Sequence, residues 1–161
     1  VEREILLTGV GGQGVQLVAD GPIVSPPIVS NAWGAVALHS QFWEPLEPRV
    51  RTGGVVLVNS TVFEAPLDRD RYTVIEVPAT ELANTAGNAM GASMVMAAAF
   101  ARATGLVSFD GLVAGMRASL PPYRQQHVEG NVATLRVGWE AIEPRAAASA
   151  WSTSGAEGAT V

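Results

Sequence analysis

The sequence contains no cysteine and no lysine. Without thiols there is no disulfide frame, no cysteine nucleophile and no thiolate ligand for a zinc or iron–sulfur site. Without lysine there is no Schiff-base amine and no phosphate-loop lysine. Imidazole comes only from His39 and His127, far apart in a chain that has no carboxylate-rich metal motif. Any redox metal that works with this chain must therefore sit on a partner. Charge is sparse too: 16% of residues are charged, the formal net charge is −5, and the ten basic residues, all arginine, are scattered. No stripe of them can follow a phosphate backbone, so nucleic acid is not an expected partner.

Long apolar runs are missing as well. The stretch MVMAAAFA at 94–101 ends at Arg102, far short of the roughly 20 residues of a bilayer span. It reads as a buried helix, and no membrane association is expected. Near the amino terminus Glu2 and Glu4 flank Arg3, and the apolar run ILL stops at a glycine-rich loop. That pattern does not match a secretory signal, so a cytoplasmic location is expected. The NST at 59–61 fits a glycosylation acceptor only formally.

The 161 residues, 48% of them hydrophobic, suit one domain with a sizeable core. EILLT at 4–8 is apolar without alternation, the mark of a strand buried on both faces. A short helix, VQLVA at 15–19, meets Asp20-Gly21-Pro22 and then Pro26-Pro27, which stop it. GAVAL at 34–38, VVLVN at 55–59 and YTVIEV at 72–77 read as further strands. A turn-like crossover with Pro45 and Pro48 runs from the second of these four strands to Gly53-Gly54.

After Val77 the pattern turns helical. Thr80 or Asn84 marks one start, Asn88 is a candidate cap for MGASMVMAAAFARAT, and Gly105 closes that helix. Ser108 caps another, with Leu112, Val113, Met116 and Leu120 on one face. Pro121-Pro122 opens the last, whose expected core stripe is Val128, Val132, Leu135, Trp139 and Ile142. The expected fold is α/β and Rossmann-like: an open, mostly parallel sheet with flanking helices and a helical carboxyl-terminal part. One domain over 1–143 and a flexible tail over 144–161 are expected.

Gly9, Gly11 and Gly14 satisfy G-x-G-x-x-G between a strand and a helix, the setting of the dinucleotide fingerprint. Such glycines let backbone N–H groups at a helix start approach an anion. The fingerprint also expects an acidic residue about 20 positions on. The stretch there is the proline-rich GPIVSPPIVS, with nothing suitable. The glycines have a structural reading as well, in which they let the first helix pack closely on its strand.

REILLTGVGGQGVQL, RTGGVVLVNST, EVPATELANTAGN and the final helices occur in the order found in the gamma subunit of the pyruvate, 2-oxoglutarate and indolepyruvate ferredoxin oxidoreductase family. The chain resembles that family up to about Ile142, most specifically in the GGQG loop and the VPATELA segment. Family members usually carry a few dozen more residues before the segment matching DGPIVSPPIV, including a second strand and an arginine–glycine motif. Here the segment is missing after the first helix. Either it is deleted, or the chain joins two pieces near Ala19-Asp20; the join accounts for the abrupt end of the helix.

The resemblance implies a gamma-type subunit of a thiamine-diphosphate-dependent 2-oxoacid:acceptor oxidoreductase that makes an acyl-coenzyme A. It implies alpha, beta and delta-type partner subunits, with ferredoxin or a similar acceptor reached through the complex. Thiamine diphosphate, iron–sulfur clusters and coenzyme A belong to the complex, and none is expected on this chain alone. The resemblance makes Gly9, Gly11, Gly12, Gln13, Gly14, Asn59 and Ser60 candidate contacts to coenzyme A or to a subunit. No residue is assigned a catalytic role. His39 reads as a loop or interface hydrogen-bonding residue and His127 as a surface one. Trp33, Phe42, Trp43 and Trp139 read as core or subunit interface, and Met90, Met94 and Met96 as core filling. Two rivals stand beside this reading: a free-standing Rossmann dehydrogenase, which lacks its ribose-binding acid here, and a scaffold module without ligand.

Overall fold

In the computed structural model, which describes residues 5–8 and 31–150, the apolar runs form one four-stranded sheet in the order β1-β2-β3-β4. The strands are β1 (Ile5–Thr8), β2 (Ala32–Ala37), β3 (Val50–Asn59) and β4 (Thr73–Val77), and all pair in parallel. Both faces of the sheet are covered, which is why these runs do not alternate with polar residues. Val55, Leu57, Ile75 and Val77 enter one core cluster, while Ala35, Ala37, Val56 and Val58 enter the other. The first helix and the stretch through Ser30 lie outside the described residues.

The third strand is longer than the sequence suggests. It starts at Val50, paired with Ala32, and runs through the two glycines that were expected to precede it. Gly53 has φ 75°, and the register shifts between Ala32 and Gly34. A Cβ on Gly54 would lie 2.8 Å from the Arg51 carbonyl oxygen. The pair therefore makes a bulge within the strand rather than a break before it.

Crossovers of two short 3-10 turns, Ser40–Phe42 and Glu47–Arg49, and of an irregular loop before β4 lie on the second face. There Trp43, 2% exposed, packs edge-on to Phe63 and Tyr72. Burial pushes the Tyr72 phenol above its usual range, and the Arg71 guanidinium over its ring pulls it partly back.

The first face carries the helices α1 (Ala79–Thr85), α2 (Ala92–Thr104), α3 (Phe109–Ser119) and α4 (Val128–Glu140). α2 is buried nearly all round, as its apolar sequence requires, and ends on Gly105 at φ 65°. Its Phe100 reaches Gly34 in β2 and meets the Trp33 ring edge-on at 5.8 Å. Asn88 does not cap it. The cap position is Gly91, and the Asn88 amide instead donates to the Thr134 hydroxyl at 3.1 Å. Ser108 caps α3 as expected, accepting from the Gly111 N–H at 3.1 Å. Within α3, Leu112, Val113 and Met116 are only half-buried, and Leu120 just beyond it is buried. No described helix is long and apolar enough to cross a membrane.

The last helix departs most from its periodicity. Pro122–His127 forms a 3-10 stretch, and α4 begins only at Val128. Its buried positions are Val128, Asn131, Thr134, Leu135 and Gly138, while Val132 and Trp139 stay half-buried. The contact with α2 is too close for large side chains: a Cβ on Gly138 would lie 2.7 Å from the Val95 Cα. Small residues therefore occupy the point of closest approach, with Leu135 buried beside it.

α4 runs in the same direction as α2, with Thr134 beside Gly91, Gly138 beside Val95, and the Arg145 N–H donating to the Ala103 carbonyl at 3.0 Å. The six residues before Thr134 thus carry the start of α4 about 9 Å past the start of α2.

The chain after Pro144, expected to begin a flexible tail, is docked as far as Ala150. Ala148 and Ala150 are each 1% exposed, and the Ala150 N–H donates to the Thr104 carbonyl at 2.8 Å. Small residues leave no periodic stripe, yet alanines fill a shallow gap well. Residues 151–161 lie outside the described part. Ending the chain at Arg145 removes two buried methyls and the hydrogen bond that ties Ala150 to Thr104, about 2 kcal/mol. Such a chain is expected to melt about 4–8 °C below one ending at Ala150 in a thermal denaturation scan. Equal melting temperatures would show that the docked segment contributes nothing.

Candidate functional site

Open parallel sheets present ligands and partners at the carboxyl ends of their strands. In this chain that edge gathers His39 after β2, Asn59 and Ser60 at the end of β3, and Pro78 to Thr80 after β4. β1 ends there too, at Thr8, where the glycine-rich loop begins. The loop residues Gly9, Gly11, Gly12, Gln13 and Gly14 lie outside the described part of the structure.

Asn59 is fully buried. Its Oδ1 accepts from the Ala79 N–H at 3.0 Å and the Thr80 N–H at 3.3 Å, and its Nδ2 donates to the Thr80 hydroxyl at 2.9 Å. These bonds replace the side-chain cap that Pro78, at the helix cap position, cannot supply. The amide thus fixes where α1 leaves the sheet edge. Nothing in the local sequence announces this, because acceptor and helix start are 20 residues apart.

Ser60, next in the chain, is exposed, and its N–H donates to the Val77 carbonyl at 2.8 Å, carrying the β3–β4 ladder one step further. Of the two candidate residues described here, Asn59 is committed to the fold and Ser60 presents its hydroxyl to the outside.

His39 is half-buried, and its Nδ1 accepts from the Gln41 N–H at 3.1 Å. The neutral ring then carries its proton on Nε2. No nucleophile or carboxylate is bonded to it among the described residues. His127 is exposed at the end of the 3-10 stretch. The carboxylates Asp68 and Asp70 stand in a solvated turn, where Asp68 Oδ1 accepts the N–H groups of Asp70 and Arg71. Among the described residues no three His, Asp or Glu side chains are grouped to hold a metal ion. The edge offers backbone and hydroxyl contacts and a firmly placed helix start, without the paired groups of acid–base or nucleophilic catalysis.

Residues 16–141 match the pyruvate ferredoxin/flavodoxin oxidoreductase family. The chain belongs to that family. Solved structures show how its fold compares with others. The gamma subunit of a keto/oxoacid ferredoxin oxidoreductase from Geobacter sulfurreducens aligns at a TM-score of 0.70 and 20% identity, over 86% of this chain and 97% of that one. The pyruvate oxidoreductase subunit PORC of Thermotoga maritima aligns at 0.53 and 22% identity, over 73% of this chain and 67% of that one. A 2-oxoglutarate:ferredoxin oxidoreductase from Magnetococcus marinus aligns at 0.65 and 12% identity, over 88% of this chain but only 32% of that one. No curated protein matches the sequence.

This pyruvate ferredoxin/flavodoxin oxidoreductase domain has the open, parallel Rossmann-like sheet with flanking helices expected from the sequence. A Rossmann crevice opens where the strand order reverses, with strands on both sides of the first one. Among the described residues β1 has a neighbour on one side only, β2, and the order never reverses.

Proposed function

We propose that this chain is the gamma-type subunit of a thiamine-diphosphate-dependent 2-oxoacid:acceptor oxidoreductase, acting in the cytoplasm with alpha, beta and delta-type partners. The overall reaction converts a 2-oxoacid and coenzyme A to an acyl-coenzyme A and carbon dioxide, passing two electrons to ferredoxin or a similar acceptor. The observation that carries this reading is the family match over 16–141 on a fold that spans 97% of a solved gamma subunit.

A chain with no cysteine supplies no thiolate for a cluster, so the clusters belong to the partners, as does thiamine diphosphate. Bound there, that coenzyme would supply the electron sink for decarboxylation. The contribution of this chain is placement: Asn59 anchors the α1 start, and Ser60 with the Gly9–Gly14 loop meets coenzyme A or a partner subunit. The dehydrogenase alternative lacks the ribose-binding acid in the sequence and, among the described residues, the strand reversal. Calorimetry on the purified chain is expected to show no NAD binding at micromolar concentrations, and binding there would promote that alternative.

The test of the proposal is anoxic reconstitution. The chain is expected to copurify with the thiamine- and cluster-bearing subunits, and leaving it out should abolish acyl-coenzyme A formation. Copurification without any effect on the reaction would reduce it to a scaffold module. Gly12→Val refines the result. A contact loop predicts a subunit with unchanged Tm in a complex whose acyl-coenzyme A formation drops about tenfold or more, the scale of a misplaced binding group. A packing glycine predicts a lowered Tm instead. A stable variant with full activity would remove the loop from the site.

A further inference from the structure

We propose that Met90 is the site at which this chain takes up oxygen from a peroxide, its thioether becoming a sulfoxide while the fold stays intact. With no cysteine in the sequence, all the sulfur is held by four methionines: Met90, Met94, Met96 and Met116. An oxidant has to reach the sulfur atom, so packing ranks the four. Met96 is fully buried in the first core cluster, and Met94 is half-buried on α2. Met116 is half-buried on α3, and its sulfur receives the Asn131 amide N–H at 4.0 Å. Met90, which was expected in the core, is 64% exposed.

A turn fixed on both sides holds Met90 out of the core. The Gly91 N–H donates to the Asn88 carbonyl at 2.8 Å, which makes Ala89 and Met90 the central pair of the turn, and both are exposed. Asn88 is tied down in two directions: its N–H donates to the Ala83 carbonyl of α1 at 2.9 Å, and its amide donates to the Thr134 hydroxyl of α4 at 3.1 Å. Gly91 is buried against the same threonine, where a Cβ would lie 2.7 Å from the Thr134 methyl. The residues flanking the turn thus carry its attachment to α1 and α4. None of these ties involves the Met90 side chain.

Oxidation starts when a sulfur lone pair attacks one peroxide oxygen. The S–O bond forms as the O–O bond breaks, sulfur gives up two electrons, and the departing hydroxide takes the proton of the transferred oxygen and leaves as water. At Met90 the lone pairs meet solvent, and the new S–O dipole stands in water. At Met116 the Asn131 N–H already engages the sulfur. An oxygen on Met96 would enter a cluster of hydrophobic side chains, where a polar atom without a hydrogen bond is costly. Met90 therefore reacts first and without loss of fold, whereas oxygen on the packed sulfurs disturbs the helices that hold them. Methionine sulfoxide is reversible by methionine sulfoxide reductases, and at Met90 it lies where such an enzyme can reach it.

The test adds hydrogen peroxide stepwise to the full chain and follows both oxygen uptake and Tm. Met90, Met94 and Met96 fall between Arg71 and Arg102 on one tryptic peptide, so fragmentation in the mass spectrometer has to separate them. The first oxygen is expected on Met90 at unchanged Tm, and a methionine sulfoxide reductase should remove it. Later oxygens on Met94, Met96 or Met116 should lower the Tm. Met90→Leu keeps a side chain of similar volume. It should melt as the wild type does, lose the first phase of oxygen uptake and keep the later ones. A first oxygen on another methionine would overturn the proposal, as would a Tm that falls when Met90 alone is oxidised. So would a Met90→Leu chain that takes up its first oxygen as fast as the wild type. None of these readouts involves a partner subunit, so the result is independent of the gamma-subunit reading.

Discussion

Gly138→Val is expected to lower the stability of the chain by about 3 kcal/mol or more, a large part of the 5–15 kcal/mol typical of a domain. α4 lies so close to α2 at this point that a Cβ would press on the backbone of Val95, at 2.7 Å from its Cα. Backbone cannot turn aside as a side chain can, so the two helices must separate and open the seam that Thr134 and Leu135 fill. Gly130→Ala, eight residues earlier on the same helix, supplies the contrast. Nothing lies within 4 Å of a Cβ there, and the position is exposed. That substitution should stabilise by about 0.5–1 kcal/mol through helix propensity. Urea denaturation midpoints of the two variants check both signs, and a Gly138 variant as stable as wild type would show that the helices do not approach this closely.

The second large effect belongs to Asn59. Asn59→Ala strands the Ala79 and Thr80 N–H groups and leaves the Thr80 hydroxyl without its donor. At about 1–3 kcal/mol for each buried group left unsatisfied, the expected loss is about 2–4 kcal/mol. Hydrogen exchange should show α1 loosening first, since its anchor on the sheet edge is gone. Asn59→Asp keeps an acceptor for both N–H groups, and the Thr80 hydroxyl can turn to donate, so its loss should be smaller. Ser60→Ala, on the exposed neighbour, should leave stability unchanged. A drop in acyl-coenzyme A formation for Ser60→Ala alone would then mark a contact, whereas a drop for Asn59→Ala accompanied by a lower Tm reports the displaced helix. Asn59→Ala with the wild-type Tm would show that the amide does not anchor α1.

Much of the fold was legible in the residues themselves. Continuous apolar runs at Ile5–Thr8 and Val55–Asn59 marked strands, the second of them buried on both faces, and Ser108 and Gly105 marked helix ends through local cap chemistry. The family was legible too, because the GGQG and VPATELA strings are local. The candidate site was legible only in part. Asn59 and Ser60 were flagged together as contacts, and nothing in the string separates them. Their difference is that one side chain faces a helix start 20 residues away and the other faces outward.

The sequence by itself determined the strand runs, the absence of thiolate chemistry, the helix ends at Ser108 and Gly105, and the family. Each depends on residue identity or on neighbours within one turn of chain. Of the expected α4 stripe Val128, Leu135 and Ile142 are buried, and tertiary structure alone decided that Asn131, Thr134 and Gly138 join them while Val132 and Trp139 stay half-buried, because the close approach of α2 sets which side chains fit. It also decided that Ala148 and Ala150 dock, that the double glycine bulges a strand without ending it, and that Met90 is bare. Burial at those positions is a property of what lies opposite, and what lies opposite comes from remote parts of the chain.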